Sequence, residues 1–546
     1  MSPPRRHLSS FRSRSAAILD AERRTRRRLR KGQTAANSSG SKASSAQING
    51  YRGVSSISQG ADNLRQQPLF EELPEDIIHR IHSLLPIQDA ACAACVSRAF
   101  LRSWRCYSKL TLDDHALRLT HIEFEERRIY LIDKVDKILK NHYDNGVKVE
   151  TLNLILTHHR KIKASYLDRW LRTTVKSGIK ELRLLMPLFK KKSYNFPCSV
   201  FSDERTANSV QFLHLGSCAF HPTSTLGCLR ELKILILSIV HITEEGLGHL
   251  LSKSSNLEKL KIFACSGIIC LKIPCTMQHL KFLYVRSCDM LRVVEIDAPN
   301  LHSFHYDNVL LEIYVRSCPQ LKNVQLSSSR SSDVLYYARA SLPSIARNVE
   351  SLILVAYSEN ANTPMLNSKL PHLKNLEIEL KSAGGFPPNY DIFSLVSFLD
   401  ASLALESFIL RVNQDDWAHY PVVGDDDECP RRKVDLWHNR LRHVTITGFC
   451  SAKSLVELTV HILGSTHSLE RLTLDTTRGY DRRIYGTTGK CPAARKIGQC
   501  WPMSKRAVEE AHRAVKTAGR YITGRVPLAV QFEVLEPCCR CHTDNQ

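Results

Sequence analysis

Three groups of residues could do chemistry by their types, and none has the spacing that a catalytic or metal site needs. Cys538, Cys539, Cys541 and His542 are soft ligands crowded near one end of the sequence. Structural zinc sites use two separated ligand pairs and chain ends fray, so no metal is expected there. Asp425, Asp426, Asp427 and Glu428 run consecutively between Gly424 and Arg431-Arg432-Lys433. A calcium loop needs alternating ligands, so this run reads as a charged surface loop. The third group is basic: Arg23, Arg24, Arg26, Arg27, Arg28, Arg30 and Lys31. It fits a solvated disordered arm, a nuclear-import or nucleic-acid-binding segment, or an Arg- and Ser-rich transit peptide. No Walker loop, dinucleotide glycine motif, metalloprotease helix or nucleophile elbow occurs, so neither an enzyme nor a cofactor is expected.

The informative chemistry is apolar, and it lies between Leu73 and Trp104. Leu73-Pro74 is followed by Glu75 and Asp76, then by Ile77, Ile78, Ile81, Leu84 and Leu85 at helical spacing. Proline just inside a helix start costs no backbone bond, and two acids suit the positive end of the helix dipole. The aliphatics form one sticky face, and Pro86 stops the helix. A second short helix begins near Gln88-Asp89, and a third carries Val96, Phe100 and Trp104 at i, i+4 and i+8. Three helices in about 35 residues cannot enclose a core large enough to stand alone. Some of their apolar faces must pack on a partner or a neighbouring domain.

This stretch resembles an F-box, whose pattern is Leu-Pro, two acids, paired aliphatics, a proline, an Asp, then Val-Ser-Arg and a Trp. Gln88 stands where that family usually has a basic residue. The resemblance implies docking on the Skp-type adaptor of a cullin–RING ubiquitin ligase, with Leu73, Pro74, Ile77, Ile81 and Leu84 as the contact set. Val96, Phe100 and Trp104 would hold the module's own helices together. The plainer alternative is a small helical cap on whatever follows.

Composition bounds the rest. A chain of 546 residues that is 43% hydrophobic holds a large folded part, and one small module plus one elongated repeat array would account for it. No apolar run is long enough to span a bilayer, and the start has no apolar signal-like core, so neither a membrane span nor secretion is expected. The 18 cysteines are scattered, which suits free thiols in a reducing compartment, nuclear or cytosolic. The net charge of +22 is uneven: residues 1–65 hold 14 Lys and Arg against 3 acids, or +11, leaving +11 for the remainder. Half of the charge therefore sits in a tail, and nucleic-acid binding is not expected as the main function. The Ser/Gly/Ala/Gln-rich run from about residue 33 to 60 reads as disordered linker.

From Val149 onward a hexad, apolar-x-x-apolar-x-apolar, returns many times. Its units include Val149-Leu152-Leu154, Ile179-Leu182-Leu184, Val210-Leu213-Leu215, Leu229-Leu232-Ile234, Leu257-Leu260-Ile262 and Leu280-Leu283-Val285. It resumes at Val349-Leu352-Leu354 and continues to Leu469-Leu472-Leu474, with at least one more unit of ambiguous phase within residues 301–326. The mean interval of about 27 to 29 residues falls in the leucine-rich-repeat range. Tyr284-Val285-Arg286-Ser287-Cys288 recurs as Tyr314-Val315-Arg316-Ser317-Cys318, which supports a stacked repeat. Cys218, Cys265, Cys288 and Cys318 stand where such repeats take Asn or Cys, so they are expected to be buried and structural.

Beyond Leu441 the pattern reads strand, helix, strand, with Leu455, Leu458 and Ile462 on the helix face. A later helix presents Val508, Ala511, Val515 and Ala518, and Leu528, Val530, Phe532 and Val534 alternate as a strand. The phrases Gly448-Phe449 to Leu469-Glu470 and Val526-Pro527 to Glu536-Pro537-Cys538 resemble the FBD domain that ends many plant F-box and leucine-rich-repeat proteins.

The expected architecture is an α/β chain: a basic disordered arm (1–65), a three-helix F-box module (66–110), a leucine-rich-repeat solenoid (111–440) and an FBD-like α/β cap (441–546). The resemblance implies a non-catalytic substrate receptor of a Skp–cullin–F-box ligase that binds a protein target through its repeats. The alternative is a repeat-based binding scaffold without ligase activity.

Overall fold

The computed structural model describes residues 73–537, apart from 106, 177, 189–192, 310–311, 329–332, 358, 360–362, 364–365, 383–384, 388, 415–435, 478–502 and 504. The basic arm, the charged run at 424–433 and the Cys538–His542 cluster lie outside the described residues.

The chain enters as three short helices, α1 (Glu75–Leu84), α2 (Ile87–Val96) and α3 (Arg98–Trp104). Pro74 and Pro86 stand just before α1 and α2 rather than inside them. Each proline offers its carbonyl to the first turn: Ile78 N–H donates to Pro74 O at 3.1 Å and Ala90 N–H to Pro86 O at 2.9 Å. Ser97 caps α3, accepting from Phe100 N–H on its side-chain oxygen. Val96 therefore ends α2 instead of opening the third helix, because Ser97 interrupts the run in extended conformation.

Among the described residues a fifteen-stranded sheet follows, from Lys109–Leu112 to Gln531–Leu535, in which each strand pairs in parallel with the next. Its register brings like positions together. Leu152, Leu182, Leu213, Leu235, Leu260 and Leu283 form part of one buried row; Leu154, Leu184, Leu215, Leu237, Ile262 and Val285 form part of a second. Alternate residues face the open concave side, as period-two patterning requires. The return segments carry helices such as Phe124–Asp144, Ala164–Val175 and Lys453–Ser465, and one continuous core runs between sheet and helices.

Two expectations about phase are corrected. Leu213 pairs with Leu235 and Leu215 with Leu237, so the unit there is Leu232-Leu235-Leu237, not Leu229-Leu232-Ile234. A run of alternating aliphatics offers two frames, and only register selects one. Residues 301–326 hold two units, Leu301-Phe304-Tyr306 and Leu321-Val324-Leu326, paired in register. The duplicated pentapeptide is also not equivalent in space. Its first copy overlaps the strand Phe282–Arg286 of the long sheet. Its second overlaps Glu312–Val315, in a separate three-stranded sheet with Cys270–Ile273 and Val293–Ile296. Repeats of about 20 residues leave too little chain for a helix of typical length. These return segments instead run extended and pair with one another.

The strand ends share a turn. Ser217, Ile239, Ala264 and Ser287 all adopt left-handed φ (56°, 59°, 48° and 53°). Each N–H donates to the carbonyl ending the next strand, as Ala264 N–H does to Arg286 O at 2.8 Å. The turn drives the following residue inward: Cys218, Val240, Cys265 and Cys288 are buried. Cys265 Sγ lies 3.5 Å from Leu237 O, and burial pushes the Cys218 and Cys288 thiols up to about 12 and about 11. They are structural, inert thiols.

At the carboxy-terminal end, Leu455, Leu458 and Ile462 are fully buried as expected, while Ala514 rather than Val515 joins the buried face of Lys505–Tyr521. Leu528 is fully exposed and precedes the last strand, which begins only at Gln531. No described helix is long and apolar enough to cross a membrane. Arg339, 1% exposed, was not singled out by periodicity; it donates to the carbonyls of Ser397 (3.0 Å) and Ser368 (2.9 Å), tying its helix to later return segments.

Two stability outcomes follow. Ala264→Gly should raise stability by about 1 kcal/mol, because it relieves left-handed strain with little lost packing. Arg339→Met should lower it by about 3 kcal/mol, since buried carbonyls lose a charged donor. Urea unfolding of both variants measures these shifts.

Candidate docking surfaces

Helix α1 divides its apolar residues between two faces. Ile78 and His82, one turn apart, point inward and are buried, and Leu85 packs against the core below them. His82 is the residue that periodicity overlooked, because a lone histidine among aliphatics carries no pattern. Its Nε2 lies 2.8 Å from Ala90 O on α2, and its Nδ1 lies 2.8 Å from Ser103 Oγ on α3. A carbonyl only accepts, so this geometry assigns the proton to Nε2 and lets the Ser103 hydroxyl donate to Nδ1. Phe100, Trp104 and Tyr107 surround the ring at centroid distances of 5.3, 6.1 and 5.6 Å. One side chain of α1 thus holds the other two helices.

The same centre joins the module to the array. Trp104 stacks on Tyr107 at 5.3 Å, and the Tyr107 hydroxyl donates to Leu85 O at 3.0 Å. Tyr107 is two residues ahead of the first strand of the long sheet, and Ile87 and Ala90 of α2 belong to the array's own core.

The outer face is different. Pro74, Ile77 and Leu84 are exposed and Leu73 and Ile81 half-buried; Leu84 is 78% exposed. Ile77, Ile81 and Leu84 follow i, i+4, i+7, which places them on one side of α1. Leu101 of α3 is also exposed, and Arg102 pairs with Glu75 at 3.2 Å. Of the three residues expected to hold the helices together, Phe100 and Trp104 do so. Val96 does not: at the end of α2 it is 86% exposed.

A second surface lies on the concave side. Cations and rings interleave on adjacent strands between Arg183 and His305. Arg183 lies over Phe212 (5.3 Å), Lys259 and Lys261 over Phe282 (5.4 and 5.7 Å), and Arg286 over Phe263 (5.6 Å). Burial and the Lys261 ammonium hold the His305 imidazole below its ordinary value. Later strands are internally neutralised: Arg411 pairs with Glu377 at 2.7 Å, and Glu350 accepts from Lys322 and Lys374, both at 2.9 Å. Those two lysines hold the Glu350 carboxyl down to about 2. In the first stretch Arg286 is likewise paired, with Asp307 at 2.9 Å, and Lys281 lies 3.3 Å from Glu258, so its positive character rests on Arg183, Lys259 and Lys261 over the rings of Phe212 and Phe282.

Comparison with known proteins places these features. Residues 70–109 match the F-box domain, and residues 138–539 match the family described as "At1g61320/AtMIF1, LRR domain". Among curated proteins of Arabidopsis thaliana, an F-box/LRR-repeat protein (At3g44810) is 27% identical over 322 residues, 56% of this chain and 69% of that protein. The FBD-associated F-box proteins At1g61320 and At1g61330 are each 24% identical, over 54% and 64% of this chain and 61% and 76% of theirs.

The two faces of α1 predict opposite responses. His82→Ala should destabilise the module by about 3 kcal/mol through lost ring packing and an orphaned Ala90 carbonyl. Leu84→Ala should change stability by less than about 0.5 kcal/mol, as for other surface sites. Thermal unfolding of both variants followed by circular dichroism would distinguish them.

Proposed function

Because this chain belongs to the plant F-box and leucine-rich-repeat protein family, we propose that it is the substrate receptor of a Skp–cullin–F-box ubiquitin ligase. In this reading Leu73, Pro74, Ile77, Ile81 and Leu84 dock on the Skp-type adaptor, and through it on a cullin. The observation that carries it is the split of α1: Ile78 and His82 satisfy the fold, while Ile77 and Leu84 stay exposed. Nothing within the described module requires that outer stripe, and a buried aliphatic contributes roughly 1.5–3 kcal/mol to an interface. Leu101 extends the stripe, and Val96, freed of its expected internal role, is a further candidate contact.

The array selects the target protein. Its cationic, aromatic stretch from Arg183 to His305 suits a partner segment rich in Asp and Glu, through charge steering and ring contacts. The chain acts by holding adaptor and target together, and the thiol chemistry of ubiquitin transfer belongs to the conjugating enzyme. Action in the nucleus, the cytoplasm or both fits this role.

Purified adaptor titrated into the full chain tests the reading. Tight binding is expected, weakened roughly 100-fold by Ile77→Ala with Leu84→Ala, since each lost contact is worth about 1.4 kcal/mol or more. Absence of binding by the folded wild-type chain would overturn it and leave a repeat-based scaffold.

A further inference from the structure

Asp400, His438 and His461 converge from three successive return segments of the array. Asp400 lies in the short helix Val396–Ala401, His438 precedes the strand His443–Thr447, and His461 lies in the helix Lys453–Ser465. Their ligand atoms all lie within 4.8 Å of one another, and both imidazoles are buried to 2% exposure. His438 is the telling residue. Neither of its ring nitrogens has a hydrogen-bond partner, and its Nε2 stands 3.7 Å from Asp400 Oδ1, beyond hydrogen-bond distance. A buried imidazole normally satisfies both nitrogens. Its backbone N–H donates to Ser465 O at 2.9 Å, which anchors the residue beside the helix that carries His461.

We propose that Asp400, His438 and His461 form a zinc site that clamps these three return segments together. Two neutral imidazoles and one carboxylate are a ligand set zinc accepts, with water in the fourth tetrahedral position. Zinc bonds of about 2.0–2.2 Å would bring the ligand atoms to roughly 3.3–3.6 Å apart. The site draws on none of the residues Cys538–His542, and it makes no use of the docking stripe on α1.

The full chain, dialysed against stoichiometric zinc and then against metal-free buffer, tests this. About one zinc per chain is expected, with a raised melting temperature that a chelator reverses. His438→Gln and Asp400→Asn should each retain at least ten-fold less zinc while keeping the wild-type circular dichroism spectrum. A Cys539→Ser, Cys541→Ser double variant should keep it. Cobalt substitution adds a readout independent of variant folding: d–d absorption without a thiolate charge-transfer band. A folded wild-type chain that retains no zinc, zinc that leaves with the cysteine variant, or a cobalt spectrum with thiolate bands would overturn the proposal.

Discussion

The in-register stacking of two apolar rows along a parallel ladder is the constraint from which the rest of this structure follows. One strand contributes two inward side chains, worth about 3–6 kcal/mol when fully buried. Ordering its five or so backbone residues costs about 5–10 kcal/mol. A single unit therefore cannot fold, and its stability comes from the neighbour on each side. Parallel sheets usually bury both faces; here the described return segments cover only one. Alternation is thus kept along each strand, and every second residue is released to the concave surface. That geometry converts a folding requirement into a recognition surface, because residues such as Lys261 and Phe282 are aligned by the ladder rather than by contacts of their own.

Repeat length then decides what covers the convex side. Where Leu283, Phe304 and Val324 succeed one another closely, the return segments pair as a second small sheet. Where the interval is longer, helices fill the space, and they need polar fastening as well as apolar packing. Arg339 reaching to Ser397, and Glu510 accepting from Ser451 N–H at 2.7 Å, are fastenings of that kind. Both span tens of residues of sequence, so they cross-link units that the ladder alone joins only through neighbours.

The helical module borrows from this array. Its centre is His82, satisfied by α2 and α3, and its floor is shared with the array through Ile87, Ala90 and Tyr107. Because the fold is met from inside and below, the outer stripe of α1 is left over for a partner. The concave patch stands in the same relation to the ladder. Both candidate interaction surfaces are what remains once the stacking requirement is satisfied.

The sequence by itself determined what depends on period and composition. The helix signals around Pro74 and Pro86, most of the hexads from Val149 to Leu474, the inert cysteines and the family resemblance were legible, since each is a local pattern. The stripe Ile77, Ile81, Leu84 was legible as apolar, and the family resemblance set it apart from Ile78, but periodicity put all the aliphatics on one face and gave no sign of His82. Those residues are neighbours in one pattern, and only packing against α2 and α3 tells inside from outside. Tertiary structure likewise decided the phase at Leu235, the separate sheets of the two Tyr-Val-Arg-Ser-Cys copies, the exposure of Val96 and the meeting of Asp400, His438 and His461. In each case the deciding contact lies outside the local pattern: a strand register, a return path or a neighbouring repeat. A period read along the chain cannot contain it.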